Sequence, residues 1–132
     1  SADLTQRVYA TMAHRASQVV SGGHAAIVGA VYARSTDREA IERVAAGAGV
    51  PFVGIWLEAP ESVLIGRAEQ RHLDASDADA DVIRGQLARD TGAIGWQRID
   101  ASRLLDNVLR AVADMLRDRL KGEVVRRNSQ AA

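Results

Sequence analysis

The sequence predicts an α/β fold, a parallel sheet layered between helices (α/β/α). Three observations carry that expectation. Phe52–Leu57, inside V-P-F-V-G-I-W-L-E-A-P, is a short and nearly continuous apolar run, the pattern of a strand buried on both faces. Ala25–Tyr32 (A-A-I-V-G-A-V-Y) is a second run of the same kind. Stretches of helical spacing alternate with these runs, and strand–helix alternation favours parallel strands joined by right-handed crossovers.

Taken in order, Leu4–Ser21 has helical periodicity, with Leu4, Val8, Met12, Ala16 and Val19 as its apolar stripe. Gly22-Gly23 stops it, since glycine accepts the left-handed conformation of a helix end. After the run Ala25–Tyr32, Ser35 or Thr36 caps a helix reaching about Ala46, and Thr36 with Glu39 forms a capping-box pattern. Gly47-Ala-Gly49 ends it. Beyond Phe52–Leu57, Pro60 suits a first helical position and Glu61 places a negative charge in the first turn. Val63, Leu64 and Ala68 make that helix's inner stripe, while Arg67 and Arg71, four residues apart, share one face. Asp74-Ala-Ser-Asp77 breaks the helix and caps the next, Ala78–Arg89. Trp96–Ile99 reads as a third strand. Ser102 opens a last helix with Leu105, Val108, Leu109, Val112, Met115 and Leu116 as its stripe. One domain over residues 1–121 and a frayed polar tail over 122–132 are expected.

Composition narrows the function classes. The 132 residues are 47% apolar and carry 17 basic and 17 acidic side chains, so no global field draws nucleic acid or an anionic membrane. There is no cysteine, which removes disulfides and thiolate chemistry. No apolar run approaches the roughly 20 residues of a membrane span, and a cytoplasmic location is the plain expectation. His14, His24 and His72 are scattered without metal-ligand spacing, and Asp74, Asp77, Asp79 and Asp81 lack the terminal glutamate of a calcium loop. No metal site is expected.

The segments A-A-I-V-G-A-V-Y-A-R-S-T-D-R-E, V-P-F-V-G-I-W-L-E-A-P, R-A-E-Q-R-H-L-D-A-S-D-A-D and W-Q-R-I-D-A-S, in that order, resemble the kinase-like P-loop NTPases. The nearest branch is the AAA-type ATP-binding domain often fused to an aminoglycoside-phosphotransferase-like domain. Gluconate kinases, shikimate kinases and zeta toxins are more distant. The resemblance runs to about Ala101. It implies phosphoryl transfer from ATP with magnesium to a small-molecule acceptor. By the same resemblance Arg67 and Arg71 are the catalytic lid arginines, whose forked guanidinium groups suit phosphate oxygens. Arg34 and Arg38 fall on the acceptor side, and Asp100-Ala101-Ser102 forms the loop bordering the adenine.

Two departures accompany the matches. No G-x-x-x-x-G-K-S/T occurs in the 132 residues, so the lysine and hydroxyl that grip phosphate and magnesium are missing from them. Where the family usually has an acid after its I-V dipeptide, this chain has Gly29, which also reads as a packing glycine within a strand. These residues are expected to retain neither ATP nor magnesium by themselves. Two readings lead, the C-terminal portion of an ATP-dependent small-molecule kinase and a degenerate, non-catalytic module serving association or regulation; an unrelated α/β binding domain is a third. A homodimer or contact with an upstream domain is compatible with the first two. Arg67 and Arg71 also have a bland reading, as surface arginines paired with Glu61 or Asp74. Without the family's phosphate-loop strand, Ile27–Val31 is expected to pair directly with Val53–Leu57.

Overall fold

The computed structural model describes the backbone of residues 1–71 and 77–131, and the side chains of residues 1–71 and 80–122. It contains five helices and two strands among those residues: α1 (Ala2–Ser21), α2 (Ser35–Ala48), β1 (Ile55–Glu58), α3 (Glu61–Arg71), α4 (Asp77–Leu87), β2 (Gln97–Asp100) and α5 (Leu105–Ala131). The chain is α/β and its strands are parallel. It divides into two compact units, Ser1–Phe52 with Thr91–Ala93, and Val53–Asp90 with Ile94–Ala132.

In the first unit, the Ser1 hydroxyl accepts the Leu4 N–H at 3.2 Å and caps α1. α2 starts without such a cap. Arg34 occupies the N-cap position in an extended conformation, and its side chain makes no capping hydrogen bond, so the expected Thr36–Glu39 box does not form. Gly49, at φ 67°, closes α2 in the left-handed conformation that only glycine adopts without strain. The two helices pack together around Ala16, Tyr32, Ile41 and Ala45, all buried. The expected stripe of α1 holds only in part: Ala16 is buried, but Leu4, Val8 and Val19 are exposed, and the face toward α2 carries Tyr9 and Ala13 beside Ala16. Small residues let two helices approach closely, and that outweighs the larger apolar stripe here.

The strand expected at Ala25–Tyr32 is not formed. Residues 24–33 belong to no ladder among the described residues, and Ile27 is 100% exposed. An apolar run becomes a strand only when a neighbour completes its hydrogen bonds. The direct pairing of Ile27–Val31 with Val53–Leu57 is likewise absent. Among the described residues nothing lies within 4 Å of the position a Gly29 Cβ would take, so no close approach there supports the packing reading of this glycine.

In the second unit, β1 pairs with β2 in parallel register, Ile55 opposite Gln97 through Glu58 opposite Asp100. Flanking bonds lengthen the ladder: Gln97 N–H donates to the Gly54 carbonyl at 2.9 Å and Ala101 N–H to the Glu58 carbonyl at 2.8 Å. The ladder begins three residues later than the apolar run Phe52–Leu57 suggests and includes the charged Glu58. α3 packs on α4, with Ala68 buried, and α5 packs on β2, with Val108 and Ile99 both buried. Leu105, at 71% exposure, and Leu109 lie off that contact, so only part of the expected α5 stripe is inward. The backbone of α5 continues to Ala131, through the segment expected to fray.

Candidate functional site

Parallel pairing delivers the C-terminal ends of β1 and β2 to one edge of the sheet, where Glu58 and Asp100 are register partners. Ligands of open α/β sheets bind outside such ends. The loop after β2 is tied to itself. Asp100 Oδ1 accepts the Ser102 N–H at 2.9 Å and the Ser102 hydroxyl at 2.5 Å, an aspartate turn that holds the chain as it leaves the strand. Those two bonds hold the Asp100 carboxyl below the usual carboxylate range, and the positive charges of Arg103 and Arg67 add to the effect.

Arg67 projects from α3 to this loop, its Nη2 lying 3.5 Å from the Arg103 carbonyl oxygen. Arg71 follows one turn later on the same helix face and is exposed. The sequence offered Glu61 or Asp74 as ion-pair partners for these arginines. Glu61 instead accepts from Arg84 of α4, at 2.9 Å between Oε1 and Nε, and Asp74 lies outside the described residues. The N–H groups of Ala101 and Ser102 are both used inside the protein, so Asp100, Ala101 and Ser102 offer a ligand their surface and side chains rather than open amides.

The other sequence-predicted residues lie in the first unit. Arg34 grips Asp37 with two bonds, Nε to Oδ2 at 2.8 Å and Nη2 to Oδ1 at 3.2 Å. Arg38 is buried to 4% exposure, and its guanidinium donates to the carbonyls of Tyr32 (2.8 Å), Ala33 (3.0 Å) and Thr91 (2.5 Å). A guanidinium with five donors in a fixed fork suits such a convergence of carbonyls. The same turn holds Tyr32 at φ 50°, the only left-handed non-glycine residue among those described. Its N–H donates to the Tyr9 hydroxyl at 2.9 Å, and the two rings meet edge to face with centroids 5.1 Å apart. Burial raises the Tyr32 phenol above its ordinary pKa, with Tyr9 and Asp37 acting in the same direction.

Beside this turn, α1 and α2 enclose a groove of about 250 Å³ lined by Gln6, Tyr9, Tyr32, Arg34, Thr36 and Asp37, with Ala13 and Ile41 among its apolar floor. Sequence reading missed Tyr9, Tyr32 and Asp37. Asp37 was within reach as the i+3 partner of Arg34, but nothing in the pattern linked Tyr9 to Tyr32 across 23 positions. No grouping of histidine, aspartate and glutamate able to hold a metal occurs among the described residues.

A family model described as an AAA domain matches residues 1–92. The chain belongs to the AAA-domain family. That places it among P-loop kinase-like, nucleotide-binding domains. The match contains Gly29, Arg34, Arg38, Arg67 and Arg71 and stops before β2, so Asp100–Ser102 rests on the geometry above. Neither the curated proteins nor the solved structures include a match. None of the described helices is long and apolar enough to cross a membrane.

Proposed function

We propose that these residues form part of a phosphoryl-transfer domain in which Arg67 and Arg71 neutralise phosphate charge and the turn bearing Arg34 and Arg38 serves the acceptor side. One observation supports this most directly: Arg67 reaches the loop after β2, at the strand ends where ligands of such sheets bind. ATP supplies the transferred phosphoryl group in such chemistry, and positioning with charge neutralisation is the protein's main contribution. Arg71 extends the same cationic face by one helical turn. Asp100, kept ionised by Ser102, restrains the loop that Arg67 touches. Arg34 fixes Asp37 at the rim of the groove, and Arg38 fixes the turn from behind through three carbonyls. The acceptor is then a small molecule.

The residues present fit phosphate better than they fit magnesium. Two arginines answer the anion, whereas Gly29 supplies no carboxylate and the phosphate-loop motif does not occur in residues 1–132. The same two features favour a second reading, a nucleotide-domain relative that serves association or regulation without turnover. Titration of residues 1–132 with Mg-ATP, followed by amide and arginine side-chain NMR, tests the first reading. Weak perturbation, at about millimolar ligand, is expected at Arg67, Arg71 and Asp100–Ser102 and should vanish in Arg67→Ala. Perturbation elsewhere, with these groups unmoved, overturns it.

A further inference from the structure

The groove between α1 and α2 has properties that an arginine count does not capture. Its two charged groups, Arg34 and Asp37, neutralise each other in a two-bond pair, so the groove carries little net field for an anion or a cation. Its remaining polar lining is uncharged: the Gln6 amide, the Thr36 hydroxyl and the phenols of Tyr9 and Tyr32. Its floor is small and apolar, with Ala10, Ala13 and Ala40. At about 250 Å³ it lies just below the roughly 300–1,000 Å³ of pockets for drug-sized ligands, a size suited to one small ring.

The wall of the groove is also held in a costly conformation. Tyr32 at φ 50° is strained by about 1–3 kcal/mol for a bulky residue. Two groups hold it there from opposite sides: the Tyr9 hydroxyl accepts its N–H and Arg38 donates to its carbonyl. Backbone strain maintained by dedicated partners is typical of ligand clamps. Here it fixes the buried Tyr32 ring against the half-buried Tyr9 ring in the lining of a neutral, hydroxyl-rich groove.

We propose that this groove binds a neutral, hydroxyl-bearing ring compound of monosaccharide size. The weakly positive C–H face of such a ring suits the negative face of an aromatic side chain, and its hydroxyls match Gln6, Thr36 and the outer lone pairs of Asp37. In the phosphoryl-transfer reading this compound is the acceptor; that word rests on the reading, while the binding does not.

The test is an amide NMR titration of residues 1–132 with four probes: D-glucose, myo-inositol, D-gluconate and D-glucosamine. Saturable shifts are expected with at least one neutral probe, centred on the Gln6 side chain, Tyr32, Thr36 and Asp37, with both charged probes about tenfold weaker. Ala13→Leu, which fills the floor, and Gln6→Leu, which removes one polar contact, should each weaken binding several-fold while the rest of the spectrum stays in place. Absence of saturable shifts at these residues, or tighter binding of a charged probe, overturns the proposal. Mg-ATP read at Arg67 and Asp100–Ser102 separates the two ideas. Sugar shifts without an ATP response keep the groove and remove the phosphoryl-transfer reading. An ATP response without sugar shifts does the reverse.

Discussion

Adding one methyl group at Gly54 should destabilise the second unit more than its size suggests. A Cβ built on Gly54 lies 2.4 Å from Trp96 Cγ, 2.5 Å from Cδ2 and 2.6 Å from Cδ1. Favourable carbon–carbon contact is about 3.5–4.0 Å, so the methyl and the indole must separate by about 1 Å. Neither side yields easily. The Gly54 carbonyl accepts the Gln97 N–H at 2.9 Å, next to Trp96, so moving either backbone lengthens the first bond of the ladder. The indole is one rigid bicycle, so displacing it moves all of its contacts together. Overpacking of this kind costs about 1–3 kcal/mol, a visible share of the roughly 5–15 kcal/mol of an ordinary domain. Urea denaturation of Gly54→Ala, followed by tryptophan fluorescence, should show a lower midpoint with an unchanged slope. Gly66→Ala is the control. It sits inside α3 with no described residue within 4 Å of the added carbon, and alanine there should raise stability by about 0.5–1 kcal/mol. Equal midpoints for Gly54→Ala and the native chain would refute the reasoning.

Other consequences can be measured alongside. Arg38→Ala strips donors from three carbonyls and should cost about 2–3 kcal/mol by denaturation, with Arg38→Lys recovering only part because an ammonium cannot reproduce the fork. Tyr9→Phe keeps the ring contact but removes the acceptor of the Tyr32 N–H, for a loss of about 1 kcal/mol and a displaced Tyr32 amide resonance. The Asp100 carboxyl should titrate below the ordinary aspartate range by carbon-detected NMR, and Ser102→Ala should move it back up further than Arg67→Ala does. Because its folded pKa is depressed, its stabilising contribution is present above the unfolded aspartate pKa and disappears as pH falls through the folded value. The side chain is fully exposed, so the curve of stability against pH should bend only slightly there.

The sequence was most legible where local rules decide structure. The helices, the glycine stop at Gly49 and the crossover from Phe52–Leu57 to Trp96–Ile99 follow from periodicity and turn chemistry, and the structure has elements close to each. Strand formation was less legible because it depends on a neighbour. Ala25–Tyr32 and Phe52–Leu57 are both nearly continuous apolar runs, yet among the described residues only the second, with Gln97–Asp100 beside it, contains a strand. Helix faces were also misjudged by side-chain size: α1 turns Tyr9 and Ala13, not Leu4 and Val8, toward α2. At the candidate site, spacing placed Arg67 and Arg71 on one face but could not distinguish them from Arg34 and Arg38, which have the same i, i+4 spacing. Burial and partners separate the pairs. Arg38 satisfies three carbonyls inside its unit, Arg34 is spent on Asp37, and Arg67 meets a single loop carbonyl at 3.5 Å.

Gly29 allows the sharpest separation of structure from chemistry. If the acid expected by resemblance had been replaced because the site needs glycine, restoring it should damage the fold. The geometry predicts otherwise. Among the described residues nothing lies within 4 Å of an added Cβ, and Gly29 is not among the glycines with positive φ, so an L side chain meets neither a clash with them nor backbone strain. A carboxylate there stays in water and avoids the cost of burying an unpaired charge. Gly29→Asp should therefore change stability by no more than about 0.5 kcal/mol, the range of an ordinary surface substitution. It should also leave residues 1–132 without ATP turnover, because a carboxylate cannot replace the backbone N–H groups and lysine that cradle phosphates in the missing motif. Urea midpoints and a phosphate-release assay read the two halves independently. A loss above about 1 kcal/mol would mean that glycine is a structural requirement at position 29. Measurable turnover by the variant would mean that the described arginines handle phosphate without a phosphate loop, and that the acid alone was what these residues lacked.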